Sequence, residues 1–425
     1  MKLLYLVIDG AAGELSEESA LALARTPGLD ELASRARCGL MYPIARGIAP
    51  ESDAAVLSIL GYNPEECYTG RGPLEALGAG IKLKEGYEVA FRANFATAKG
   101  ERLELIDRRC GRDLETWEAR ELASALDGME LGIYDAYARV VATVGHRAVV
   151  VLGSRSYRLS GNVSNTDPAY ERRGAISIAR REYDMVVEEC KPLDDTPEAA
   201  RTAELANVFT RRAFQILDGH PINLNRERRG KLKANIVLLR DCGDKLPKVP
   251  SVEEKYGLRF AAIAEMPVEV GIARLLGMWV AEVPPPSRDK AKDYEERLEN
   301  TLRLLEEYEA VYVHLKGPDE PAHDGDMERK IEAIELVDDH YVLGLLERCD
   351  LSSTAVIVTS DHATPCRLRA HSGDPVPVLV YVPGIEGDAV RRFCEVECAK
   401  GSLGTFEHGW ELLPFVVEEM RRIAR

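Results

Sequence analysis

Three short apolar runs set the frame of this chain, because each gives way within a few residues to charged ones. Residues 3–8 stop at Asp9 and Gly10, residues 311–315 stop at Lys316, Gly317, Pro318 and Asp319, and residues 355–359 are followed by Asp361. Continuous apolar runs of this length are typical of strands buried on both faces of a parallel sheet, which deliver polar side chains at their carboxyl ends. A further run, 376–382, ends at Pro383 and Gly384 and predicts a late strand closed by a turn. Between the runs, residues 294–309 and 327–348 place apolar positions three and four apart, the spacing of amphipathic helices. Strands and helices alternate, so the pattern predicts an α/β fold with a doubly wound sheet.

The middle of the chain reads differently. Shorter alternating runs at 88–95, 139–144 and 148–152 are broken by charged helical pieces. They predict an inserted, smaller α+β domain at 85–227, which leaves a discontinuous core of 1–84 joined to 228–425.

Length supports this division, since 425 residues exceed what one hydrophobic core organises. With 45% hydrophobic and 30% charged residues, the chain has the composition of a globular protein. A formal charge of −16 argues against a nucleic-acid partner, which would demand a basic face. The first apolar run is too short for a signal peptide, and no stretch approaches the roughly 20 apolar residues of a membrane helix. A cytoplasmic protein is expected, with no membrane partner and with oligomerisation left open. The nine cysteines have neither zinc-ribbon nor disulfide spacing and read as mostly small buried hydrophobes.

The polar residues behind the strands carry the chemistry. Asp319 and His323 form D-x-x-x-H after one strand, Asp361 and His362 follow another, His371 comes nine residues later, and Asp9 ends the first. Singly, each reads as well as a helix cap or a surface histidine. Together they match the carboxylate and imidazole set that holds two divalent metals around a phosphate. Ser52 lies where a loop turns into an apolar helical stretch, so its hydroxyl sits near a helix N-terminus suited to a phosphate, as nucleophile or as plain cap. Arg108, Arg109 and Arg112 are candidates to grip substrate anions, and Lys316 to reach the phosphate as a point charge. Asp53 reads as a neighbour for acid–base work or, in the ordinary case, as a first-turn helix acid, and the basic run 225–233 as a solvated face at the domain junction.

Nine stretches, in order along nearly the whole chain, carry a resemblance: VIDGAAGE, TPGLDELA, GIAPESDAAVLSILGYNP, YTGRGPLEALGAGI, FRANFAT, IDRRCGR, KGPDEPAHDGD, TSDHATP and HSGDPVPV. The chain resembles the archaeal-type 2,3-bisphosphoglycerate-independent phosphoglycerate mutases of the alkaline phosphatase superfamily. The resemblance implies an alkaline-phosphatase-like core, with one metal held by Asp319, His323 and His371 and a second by Asp9, Ser52, Asp361 and His362. It implies a transient phosphoserine at Ser52, phosphoglycerate as the small-molecule substrate, and no 2,3-bisphosphoglycerate. It also implies a substrate-clamping role for the inserted domain. Mn2+ is the first expectation for the metals, with Mg2+, Zn2+ or Co2+ as the other choices. Ala11-Ala12 and Glu51 depart from the commonest family pattern without touching an expected ligand. Two other readings keep the fold: a phosphohydrolase, in which water discharges Ser52, and a paralogue acting on another phosphorylated metabolite such as phosphohomoserine. A scaffold that has lost activity fits less well with an intact ligand set.

Overall fold

The computed structural model describes residues 1–423 apart from Arg181 and Pro285. The chain folds as two compact units, one built from residues 1–68, 248–265 and 272 onward, the other from 69–247 and 266–271.

The first unit is organised by an eight-stranded sheet. Strand Lys2–Ile8 lies at its centre, parallel to Ala310–Leu315 on one side and to Thr354–Thr359 on the other. Beyond Ala310–Leu315 come Phe260–Ile263 and Trp279–Val280, both parallel. On the other side, Val376–Tyr381 runs antiparallel, followed by Arg37–Met41 and the short Gly404–Phe406. Nearly every residue of the three central strands is buried, as expected where helices cover both faces. Helices Lys290–Glu307 and Met327–Val337 pack their apolar stripes on one face through Leu298, Leu304, Ile334 and Val337. The register sets Ile8 opposite Leu315 and Val7 opposite Thr359, so three adjacent strands end at one edge of the sheet.

The second unit holds an antiparallel sheet in the order Ile236–Gly243, Glu88–Lys99, Arg147–Ser154, Ala136–Ala142 and Met129–Glu130. Strand Glu88–Lys99 alternates strictly. Val89, Phe91, Ala93 and Phe95 join the core formed with helices Thr116–Ser124 and Pro197–Asp218, while Ala90 packs with Ala76 of helix Arg71–Gly78 on the opposite face. Because that helix belongs to this unit, the unit reaches past the expected edges at 85 and 227. The basic run 225–233 is largely exposed, as expected of a solvated face, but Arg226 departs from it: it is fully buried, donating to Glu118 and Asp113 and to the Leu232 carbonyl. Seven of the nine cysteines are buried, including Cys394 and Cys398, and all are free thiols.

Candidate active site

The three central strands of the first unit deliver their polar residues to one place. Asp9 follows Lys2–Ile8 directly, Asp361 stands two residues beyond Thr354–Thr359, and Asp319 opens the short helix Asp319–Asp324 after Ala310–Leu315. Gly10 lets these segments close up. Its φ of 59° is left-handed, and a Cβ there would lie 2.7 Å from the Asp319 side chain.

Asp319, His323 and His371 form one half of the site. His323 Nε2 lies 3.4 Å from Asp319 Oδ2, His371 Nε2 lies 3.6 Å from Asp319 Oδ1, and the two Nε2 atoms are 3.2 Å apart. Asp9, Ser52, Asp361 and His362 form the other. His362 Nε2 is 3.4 Å from Asp9 Oδ1, 3.3 Å from Asp361 Oδ2 and 3.3 Å from Ser52 Oγ. The halves adjoin, since the rings of His362 and His371 stack with centroids 3.6 Å apart.

The hydrogen bonds behind these imidazoles decide which nitrogen faces the site. His323 Nδ1 donates to the Arg369 carbonyl at 3.0 Å and His371 Nδ1 to the Pro50 carbonyl at 2.7 Å. Thr364 Oγ1 donates its one proton to Asp319 Oδ1 at 2.9 Å, so toward His362 Nδ1, also 2.9 Å away, it must accept. All three rings therefore keep a proton on the outward Nδ1, so that Nε2 is the nitrogen each would offer to a cation in the site, the arrangement of metal-ligating histidines. A buried ammonium steadies the loops that carry these residues: Lys330 Nζ donates to the carbonyls of Ala12 and Thr364, each at 2.9 Å.

The carboxylates are half satisfied. Asp361 Oδ1 accepts from the backbone of Gly10 and His362 at 3.1 Å, and Asp9 Oδ2 faces Lys316 Nζ at 3.1 Å. Asp361 Oδ2 and Asp9 Oδ1 are buried with no hydrogen-bond partner among the described residues. Burial, reinforced by the nearby charge of Asp9, pushes the Asp361 carboxyl up to about 7. At Asp9 burial acts in the same direction, yet Lys316 and the imidazoles of His314 and His362 outweigh it and hold that carboxyl well below its usual range. Hydrogen bonding to Asp319 raises His323 to about 9. Crowded buried carboxylates with bare oxygens, facing imidazole lone pairs, fit hard or borderline divalent cations in donor type and charge.

Ser52 is the first residue of helix Ser52–Ile59, with Glu51 at the N-cap, and its hydroxyl turns to His362 rather than to a backbone amide. The capping reading is therefore set aside. Tyr5 Oη bonds the Ile59 carbonyl at 3.0 Å, which ties the far end of this helix to the central strand. Asp53 is buried, accepting from Tyr68 Oη and from its neighbour's amide, a structural role.

The expected arginines lie in the second unit. Arg108 is held in a two-pronged pair by buried Asp167, at 2.8 and 2.6 Å, so its charge is already matched. Arg109 and Arg112 follow in a tight loop where Cys110, Gly111 and Arg112 all have positive φ (43°, 73°, 56°), with Asp107 Oδ1 accepting from the amides of Arg109 and Gly111. Left-handed backbone at successive residues is strained and clusters at functional segments. Both arginines lie close enough to His146 that, after burial and Arg147, they help Arg92 lower its imidazole to about 3.

Sequence reasoning missed a second group there. Arg92 and Arg240 stand directly opposite each other across the sheet, a destabilising like-charge pairing. Arg71 adds a third guanidinium. Glu75 pairs with Arg71 at 2.7 Å and with Arg92 at 3.5 Å, while Arg240 lies over the Tyr170 ring at 4.0 Å with its Nε 3.7 Å from buried Asp241, so three guanidiniums face two carboxylates. Burial and the neighbouring arginines bring Arg92 down to about 9. His314 was missed as well. It lies inside an apolar strand, fully buried, with Nε2 3.8 Å from Asp9 Oδ1 and 3.6 Å from Asp361 Oδ2.

Fold and site together define an α/β enzyme with carboxylates and imidazoles of the type that bind divalent cations clustered at one sheet edge, a serine hydroxyl among them. Comparison with known proteins adds the family. The sequence profile of 2,3-bisphosphoglycerate-independent phosphoglycerate mutase matches residues 33–223. The mutase of that name from Aeropyrum pernix is 49% identical over 419 residues, 97% of this chain and 98% of the relative, and the one from Methanopyrus kandleri is 39% identical over 431 residues, 100% of this chain and 97% of the relative. Among solved structures, the cofactor-independent phosphoglycerate mutase from Thermoplasma acidophilum superposes with a TM-score of 0.62 at 30% identity, covering 100% of both chains. The PH0037 protein from Pyrococcus horikoshii gives a TM-score of 0.76 at 28% identity, over 99% of this chain and 97% of that one. The chain belongs to the 2,3-bisphosphoglycerate-independent phosphoglycerate mutase family.

Proposed function

We propose that this chain interconverts 3-phosphoglycerate and 2-phosphoglycerate without 2,3-bisphosphoglycerate, by way of a phosphoryl group held transiently on Ser52. The observation that carries this reading is the convergence of Asp9, Asp319, His323, Asp361, His362 and His371 from segments hundreds of residues apart, with the Ser52 hydroxyl on His362. Asp319, His323 and His371 would hold one divalent cation, and Asp9, Asp361 and His362 with Ser52 a second, with Mn2+ our first choice of metal. Bound there, a cation pair supplies charge neutralisation for the phosphoryl group and lowers the pKa of the serine hydroxyl.

The chain's own residues account for the rest. Ser52 Oγ gives up its proton and attacks phosphorus in line, the bond to glycerate O3 breaks, and O3 takes up a proton. In the second half-reaction glycerate O2 gives up its proton and attacks the same phosphorus, and Ser52 Oγ leaves and is reprotonated. The amino-terminal end of helix Ser52–Ile59 favours the added negative charge, and Lys316 offers a point charge beside Asp9. Mutase chemistry also requires that glycerate stay bound between the halves. We assign that task to the second unit, to Arg92 and Arg240 with Arg109 and Arg112, whose excess of guanidinium over carboxylate suits a carboxylate or phosphate. Arg108, paired with Asp167, holds the loop in place.

The test is to incubate metal-loaded protein with 3-phosphoglycerate alone and follow 2-phosphoglycerate and free phosphate together. Formation of 2-phosphoglycerate without phosphate supports the reading. Release of phosphate alone would make the chain a hydrolase, and silence in both channels would point to another phosphorylated substrate.

A further inference from the structure

His314 sits in strand Ala310–Leu315, all six residues of which are buried, directly opposite Val7 in the register. A histidine at such a position gives up hydration on both ring nitrogens, so each needs a partner. Nδ1 has one, the Tyr312 hydroxyl at 3.0 Å. Nε2 has none, and it points at two further orphans: among the described residues Asp9 Oδ1, His314 Nε2 and Asp361 Oδ2 are all buried without a hydrogen-bond partner.

Their spacing suits one shared ion. At 3.6 and 3.8 Å the Nε2 atom is too far from the two carboxylate oxygens for a hydrogen bond. Two donors that each reach a common ion at about 2.0–2.2 Å stand roughly 3.0–3.8 Å from one another as the angle at the ion goes from about 90° to about 120°. Three orphaned donors of oxygen and nitrogen type, so placed, describe a coordination site rather than a failed hydrogen-bond network.

Building on the metal-dependent reading above, we propose that His314 is a further metal ligand, its Nε2 sharing a divalent cation with Asp9 Oδ1 and Asp361 Oδ2. The role requires the Nδ1 proton to be donated to Tyr312 Oη, which fixes the ring and leaves the Nε2 lone pair facing the carboxylates. Tyr312 is then a positioning residue.

The experiment is a crystal of the full chain grown with Mn2+ and measured for anomalous scattering, with Mn2+ titrations of wild type and His314→Phe followed by electron paramagnetic resonance. The proposal expects an anomalous peak about 2.0–2.2 Å from His314 Nε2 that also touches Asp9 and Asp361. His314→Phe should weaken one class of Mn2+ site by at least tenfold and leave the Asp319–His323–His371 site unchanged. Peaks at the two expected positions with none within about 3 Å of Nε2 would overturn the proposal while sparing the two-metal reading, since no coordination bond is that long. Absence of any peak would overturn both. Because the crystal uses the wild type, a variant that fails to fold does not protect the idea.

Discussion

Thr364→Val removes one hydroxyl and almost no volume, and it cuts the link between the two halves of the site. In the native chain His362 Nδ1–H donates to Thr364 Oγ1, which donates to Asp319 Oδ1, each at 2.9 Å. His362 and Thr364 are fully buried, so no water replaces the lost acceptor. A buried donor left without a partner costs about 1–3 kcal/mol. The proton has an alternative seat on Nε2, where it would block the lone pair that faces Asp9 and Asp361. Loss of such an outer hydrogen bond typically weakens metal binding about 10–100-fold, or roughly 1.4–2.7 kcal/mol, so the two routes to the magnitude agree. The assay is a Mn2+ titration by calorimetry on both proteins, with circular dichroism as the check on folding. A well-folded Thr364→Val protein that binds Mn2+ within twofold of wild type would refute the relay and the tautomer assigned to His362.

The other predictions concern the second unit. Arg92→Ala should raise KM for phosphoglycerate at least tenfold with a smaller change in kcat, in steady-state kinetics; an unchanged KM would remove the arginine pair from substrate binding. His146, lowered to about 3 from an ordinary 6.5 by burial and its arginine neighbours, should stay neutral in the free protein down to about pH 4 by NMR and titrate at higher pH once 3-phosphoglycerate offsets that charge. Because the folded state resists a proton that the unfolded chain accepts, His146 should also lower stability as pH falls from 6.5 toward 3. Arg226→Met leaves the buried carboxylate of Glu118 without its cation and should destabilise the chain by about 3–5 kcal/mol in urea unfolding, whereas a loss below about 1 kcal/mol would contradict the buried-pair account.

What could be read from the chain beforehand followed from local pattern. Apolar runs ending in Asp9, Asp319 and Asp361 mark the strands, because burial on both faces demands continuous hydrophobicity and the polar residue after it marks the edge. Grouping these acids with the histidines relied on shared chemistry, and the structure brings them together. Long-range pairing was harder to foresee. The antiparallel placement of Val376–Tyr381 and the opposition of Arg92 to Arg240 are properties of register between distant segments, which periodicity does not encode. His314 was hidden by its company: in AVYVHL it passes for one more core position, though a lone histidine amid residues buried on both faces is itself a signal. Arg226 misled for the converse reason, since a basic run looks solvated unless its partners, the buried Glu118 and the exposed Asp113, are known to lie beside it.

The central claim is that Ser52 carries the phosphoryl group between the two oxygens of glycerate. Rapid acid quench of the metal-loaded enzyme turning over 3-phosphoglycerate labelled in the phosphate, followed by peptide mass spectrometry, tests it directly. Label on Ser52 within the first turnover, absent from Ser52→Ala, is the expected result. Label on another residue, or full mutase activity in Ser52→Ala, would contradict the account.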